Sequence, residues 1–278
     1  MSRIAARFAE LRKANRAAFV PFITAGDPDA ETTFAILEKL PGAGADLIEL
    51  GVPFSDPMAD GPAIQASSQR ALAAGMNLHK VLDLVRKFRK TDVKTPIVLM
   101  GYFNPIHAYG TARFAKDAAE AGVDGLITVD LPPDEDEVLR LPATAQAIDI
   151  VRLATPTTDE QRLRTVLTGA SGFLYYVAIA GITGTKSFAE SDASAAVARL
   201  KKASLLPCVV GFGIKSPEQA ASVARYADGA AVGTAIVERI FTNSQRRAPR
   251  AALVADVLEL CGRLANSVHA ARTSSVVE

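Results

Sequence analysis

The sequence predicts a single α/β domain closed as a (β/α)8 TIM barrel with an extra N-terminal helix, and three observations carry that prediction. Eight short apolar, β-branched-rich runs recur at 18–24, 46–50, 96–101, 124–129, 148–153, 172–178, 207–212 and 228–233. Helical patterns, with apolar residues three and four apart, stand between them. No Pro/Gly/Ser linker or shift in composition divides the alternation, so one domain over 1–278 is expected rather than two. An open doubly wound sheet ranks second, because TAGDPD rather than a G-x-G-x-x-G follows the first run.

Taken in order, MSRIAARFAELRKANR reads as a charged amphipathic helix at 1–14, with no apolar core of the kind a secretion signal needs. AETTFAILEKL follows the first run behind Asp29 as its cap, and KVLDLVRKF precedes the third. DEQRLRTVL follows the fifth with Thr158 as cap, and SDASAAVARLKKA follows the sixth. PEQAASVA follows the seventh, with Ser216 as cap and Pro217 at the first helical position. A last helix is expected at 249–265, with 266–278 as a mobile tail.

The composition narrows the partners. With 278 residues, 49% hydrophobic and 22% charged, the chain can bury a large core. A net charge of +1 and 6% aromatic residues favour neither nucleic acid nor an acidic membrane. No apolar run is long enough to span a bilayer. Cys208 and Cys261 lack metal-ligand spacing and read as thiols of a reducing, cytoplasmic compartment.

In a barrel, function lies at the carboxyl ends of the strands, where LIELGVPFSDPMADGP (47–62) places its acids. The two-residue strand period turns Leu47 and Glu49 to one face and Ile48 and Leu50 to the other, so Glu49 points inward. Asp56 and Asp60 follow on a loop that Pro53, Pro57, Gly61 and Pro62 keep out of helix and strand, so one acid could face Glu49 across a cavity. Two carboxylates of unequal burial suit acid/base chemistry. The competing reading pairs Glu49 with a buried Arg or Lys and leaves the aspartates as turn residues. The seventh run enters GFGIKSPEQ and the eighth DGAAVGTAIV, each with glycine at a turn opening a helix. Backbone N–H groups and a positive helix end would there receive a phosphate, on Gly213, Gly233 and Thr234, with Gly184 closing from the sixth loop. Glycines that serve only tight turns are the alternative.

His79, His107 and His269 are scattered and end no strand, so no metal site is expected. Lys186 and Lys215 lie in loops, unsuited to imine chemistry. A phosphate-binding barrel with acids at its mouth should then perform proton transfer, as a lyase or isomerase. Phe22, Met100, Ile127, Val129, Leu153, Tyr175 and Phe212 face inward and could line a slot for an aromatic ring, or simply fill the core.

PFITAGDPD (21–29), IELGVPFSDPMADGPAIQ (48–65), GYFNPI (101–106), ATPTT (154–158), GITGT (181–185) and VVGFGIKSPEQ (209–219) stand in order, and by them the chain closely resembles the alpha-subunit family of tryptophan synthase up to about residue 265. The resemblance implies retro-aldol cleavage of indole-3-glycerol phosphate to indole and D-glyceraldehyde 3-phosphate, with no cofactor in this chain. It makes Glu49 the acid/base at indole C3 and Asp60 the partner of the indole N–H. It also implies a pyridoxal-phosphate beta subunit in an α2β2 complex, which receives the indole. Asp56 would meet that partner, and Thr183 would contact the catalytic aspartate on loop closure. The chain departs from the family pattern at Ala178, Ile179, Val129 and Thr234; Thr234 keeps a hydroxyl, whereas Ile179 puts the strength of partner coupling in doubt. A free-standing lyase of the same family, an idle activator of the beta subunit and a phosphosugar isomerase are the alternatives.

Overall fold

The alternation of strands and helices is present in the structure, a computed structural model that describes residues 2–178, 190–211 and 213–272. The strands are β1 Ala18–Thr24, β2 Ile48–Gly51, β3 Ile97–Gly101, β4 Gly125–Thr128, β5 Asp149–Ile150, β6 Arg152–Ala154, β7 Leu174–Val177, β8 Cys208–Gly211 and β9 Gly229–Val232. The helices are α1 Arg3–Lys13, α2 Ala30–Leu37, α3 Pro62–Ala73, α4 Leu78–Arg89, α5 Phe103–Tyr109, α6 Thr111–Ala121, α7 Glu137–Ala145, α8 Glu160–Leu167, α9 Glu190–Ala203, α10 Pro217–Tyr226, α11 Thr234–Gln245 and α12 Arg250–Ala270.

Every strand pair is parallel, in the order β5-β4-β3-β2-β1-β9-β8-β7-β6. The two ends of that order, β5 and β6, are successive pieces of one chain segment parted by Val151, so the sheet closes on itself. The fifth expected strand is therefore one run shared between two neighbours.

The period of two sorts the side chains as expected. Val20, Phe22, Leu47, Val98, Met100, Ile127 and Tyr175 pack together inside the barrel. Phe19, Ile23, Ile48, Leu50, Leu99 and Leu126 pack with the surrounding helices. Helix α1 crosses the amino-terminal mouth, where its Ile4, Phe8 and Leu11 join the inner cluster and Phe8 lies 5.8 Å from Phe173, ring to ring. A Cβ at Gly125 would stand 3.0 Å from Ile4 Cδ1, so the glycine lets the helix seat. Two buried aspartates fasten it. Asp46 accepts from Arg7 (2.5 Å), from the Phe19 N–H (2.7 Å) and pairs with His269 (2.7 Å). Asp124 accepts from Arg3 (2.7 Å) and Arg89 (2.6 Å). The amino-terminal mouth is thus closed, and the carboxyl-terminal mouth is left for function.

Three local expectations need correction. Asp159, not Thr158, caps α8, its side chain accepting the Arg162 N–H; Thr158 Oγ1 instead accepts the Thr155 N–H at 2.9 Å, within the preceding turn. Pro62 does not hold the loop out of helix but starts α3, since a first-turn proline forgoes no helical hydrogen bond. The tail does not begin at 266: α12 runs to Ala270 because Val268 continues its buried stripe, and Arg272 Nε then donates to the Ala224 carbonyl at 2.9 Å. Residues 273–278 lie outside the described residues.

Candidate active site

Glu49 sits in β2 in register with Phe22 of β1 and Val98 of β3, and it is 1% exposed. Its Oε1 has no hydrogen-bond partner among the described residues, so the salt bridge of the competing reading is not there. Burial without a cation disfavours the charged form and pushes its carboxyl up to about 8.

Asp60 comes from the loop that leaves β2. Its N–H donates to the Pro57 carbonyl (3.0 Å), and its own carbonyl accepts from Gln65 Nε2 (2.9 Å), which ties the loop's end to the first turn of α3. Burial raises its carboxyl to about 6, against the opposing pull of the Tyr102 hydroxyl, which hydrogen-bonds to it. The same hydroxyl accepts the Ala59 N–H at 3.0 Å, and the Tyr102 ring lies 5.4 Å from that of Phe54. Tyr102 therefore fixes both the loop and the carboxylate. Behind them, α3 is pinned to the end of β1 and the chain that follows it: Thr24 Oγ1 meets Ser67 Oγ at 2.6 Å, and Arg70 grips Asp27 through two bonds of 2.7 and 2.8 Å.

Glu49 and Asp60 line one cavity, together with Phe22, Met100 and Tyr175 on its apolar side and Gly213, Gly233 and Thr234 on the other. The structure thus gathers the two acids, three of the expected slot residues and three of the expected phosphate residues. Ile64 and Gly61 at the start of α3, and Ile214 and Ala231, also line it and were not anticipated. The signal for Ile64 and Gly61 was their adjacency to Asp60 in the chain. Val129 lies in an adjoining recess beside Asp60 and Tyr102. Ile127 and Leu153 do not line the cavity: Ile127 is covered by the packed interior, and Leu153, in register with Tyr175, packs against the same inner cluster. Strand alternation gives the face of a side chain but not what covers it. Asp56 is exposed; its side chain accepts from its neighbour Ser55 at 2.6 Å and its carbonyl from the Met58 N–H at 2.9 Å. Thr183, Gly184 and Phe212 lie outside the described residues.

Two helices were expected to offer open N-termini, and they differ. Ser216 and Gln219 form a capping box on α10, so its first N–H groups already have acceptors. Helix α11 starts at Thr234 behind Gly233 with no side-chain cap, at the cavity wall. Its orphan N–H groups and positive dipole end suit an anion. Gly213 reaches the same wall through its backbone at φ +82°, which favours glycine. Close packing explains two further glycines: a Cβ at Gly51 would overlap the Phe22 ring, and one at Gly211 would overlap the Tyr175 hydroxyl.

None of the three histidines lines this cavity. Among the described residues, no group of three or more His, Cys, Asp or Glu could hold a metal ion, and no helix is long and apolar enough to cross a membrane.

The cavity has thus a neutral acid, a carboxylate, an apolar slab and an anion-seeking helix end. Comparison with known proteins gives this arrangement a lineage. The sequence model of the tryptophan synthase alpha chain family matches residues 8–269. The crystal structure of tryptophan synthase subunit alpha from Legionella pneumophila is similar at 39% identity and a TM-score of 0.88, over 96% of this chain and 98% of that one. A chain of tryptophan synthase from Mycobacterium tuberculosis, in its aminoacrylate-bound form, is similar at 33% identity and a TM-score of 0.85, over 97% of this chain and all of that one. Another M. tuberculosis structure gives 35% identity and 0.86. The chain belongs to the tryptophan synthase alpha chain family, whose members catalyse the lyase cleavage of indole-3-glycerol phosphate.

Proposed function

We propose that Glu49 and Asp60 carry out this cleavage here, as one domain and without a cofactor of the chain's own. The observation that carries the reading is the divergence of two carboxyl groups on one cavity, Glu49 at about 8 and Asp60 at about 6. At neutral pH the first is largely an acid and the second largely a carboxylate, which assigns their roles.

The indole ring lies against Phe22, Met100 and Tyr175, and the phosphate takes the α11 N-terminus with Gly213, Gly233 and Thr234. Glu49 gives its proton to indole C3. Positive charge then grows on the ring nitrogen, and the Asp60 carboxylate, accepting the N–H, stabilises it. Glu49, now a carboxylate, takes the proton from the hydroxyl on the carbon attached to C3. The oxygen electrons form the aldehyde, the carbon–carbon bond breaks, and its electrons restore the indole. Glu49 ends protonated, so no net proton is consumed.

The partner is a pyridoxal-phosphate beta subunit in an α2β2 complex that takes up the indole, with the exposed Asp56 on the contacting loop. The compartment is the cytoplasm, consistent with two buried free thiols. Indole release from indole-3-glycerol phosphate, with and without a beta subunit, tests the reading. Slow release that rises with the partner, and falls about 10²–10⁴-fold in Glu49→Gln and Asp60→Asn, is expected. No release even with the partner leaves only an activator role, and fast release by the chain alone favours a free-standing lyase.

A further inference from the structure

Three loops meet beside Asp60. The loop after β2 carries Ala59 and Asp60, the chain leaving β3 carries Tyr102, and the chain leaving β4 carries Asp130. Tyr102 has a single hydroxyl proton. Its oxygen already accepts the Ala59 N–H at 3.0 Å, so the proton goes to the Asp60 carboxylate. Burial first, and the charge of Asp60 next, raise this hydroxyl well above its ordinary value, with a smaller push from Asp130, so it stays a donor throughout the neutral range.

The aim of that donor depends on the backbone at Tyr102, which is extended (φ −115°, ψ 156°) and stands as the N-cap of α5. A phenol does not cap its own helix, and α5 has no cap bond from Tyr102. Support comes instead from the chain leaving β4. Val129 N–H donates to the Gly101 carbonyl at 2.9 Å, on the peptide before Tyr102. Asp130 Oδ1 accepts the Phe103 N–H at 2.7 Å, on the peptide after it. The Tyr102 α-carbon is thus held from both sides. The Asp130 side chain is not committed elsewhere: among the described residues no ion pair joins it to Arg140, Arg152 or Arg162 of the neighbouring cleft, which bond to Asp134, Asp136 and Glu137.

We infer that Asp130 is a positioning residue for the cleavage: it holds Tyr102 through the Phe103 N–H, and Tyr102 in turn holds the Asp60 carboxylate ready for the indole N–H. The inference rests on the role of Asp60 proposed above. Loosening Tyr102 takes a donor from the Asp60 carboxylate and so favours its protonated form. The other titratable groups about Asp60 are Glu49 and Tyr175, across the cavity. His107 of α5 lies against the Phe103 ring, at 5.5 Å, and does not line that cavity.

The test is the pH profile of kcat/KM for indole release, on the full chain with and without a beta subunit. In Asp130→Ala the acid limb should rise from about 6 by about 0.5–1 in pH, which lowers kcat/KM at pH 6 about two- to fivefold, while the basic limb stays near 8. Asp130→Asn, whose amide oxygen still accepts the Phe103 N–H, should restore the limb and most of the rate. Tyr102→Phe should raise the limb at least as far, and adding Asp130→Ala to it should change nothing more. Should Asp130→Ala fail to fold by circular dichroism, Asp130→Glu, which keeps the charge but displaces the acceptor, takes its place with the same expected rise. An acid limb that does not move, a loss that Asp130→Asn does not restore, or additive effects of Asp130→Ala and Tyr102→Phe overturns the inference. Failure of the Asp60 role itself shows earlier and differently, as an unsubstituted chain with no release or no acid limb, and it removes the inference with it.

Discussion

Glu49, the proposed acid, weighs on stability. Its carboxyl is held at about 8 in the folded chain, against an ordinary 4.5. Between those values the unfolded state has released the proton and the folded state keeps it, so stability falls as pH rises through that window. Glu49→Gln removes the titration and keeps the shape. The variant should gain little at pH 4 and on the order of a few kcal/mol at pH 8.5, read as urea unfolding at the two values. An unchanged difference between the two pH values would mean that Glu49 is charged and paired when folded. This residue was legible in the sequence because an acid inside an apolar strand is conspicuous. Tyr102 stood in the sequence only as part of the GYFNPI block. Its bond to Asp60 joins the loop after β3 to the loop after β2, and no local pattern records a contact of that kind.

Helix α3 starts two residues after Asp60, so whatever holds α3 also sets the acid. The Asp27 side chain is fully buried on Arg70, and burial raises its carboxyl while Arg70 opposes the rise. Arg70→Met strands that acid and should cost about 3–5 kcal/mol in urea unfolding, part of which Asp27→Asn in the same chain restores. The two helix ends offer a sharper contrast. Ser216→Ala removes the α10 cap and should cost about 0.5–2 kcal/mol of stability while leaving the KM for the phosphate substrate alone. Gly233→Val places a side chain at the α11 N-terminus, next to Phe22, and should raise that KM. The reverse pattern in steady-state kinetics would move the phosphate site to α10. Sequence period and glycines located both turns. Ser216 was already readable as the α10 cap, but the return bond from the Gln219 side chain to Ser216 was not drawn from their spacing.

At the scale of the whole molecule, α1 plugs one end of the barrel and the acids, the slab and the α11 N-terminus share the other. Strand alternation in the sequence anticipated the barrel, its inner face and the end that carries the site. It did not anticipate that Val151 splits the fifth strand between two neighbours, since a strand's register against both partners at once is not written in its own residues. The split changes the strand's partner from β4 to β7 near Arg152.

The central claim is that Glu49 works as a neutral acid and Asp60 as a carboxylate in one cavity. The pH dependence of kcat/KM for indole release, from pH 5 to 9.5 on the chain with its beta partner, tests it most directly. The expected profile is a bell whose acid limb, near 6, reports protonation of Asp60 and whose basic limb, near 8, reports ionisation of Glu49. Asp60→Asn should lose the acid limb along with most of the rate. A rate that climbs steadily above pH 8, or an acid limb that survives in Asp60→Asn, would contradict it.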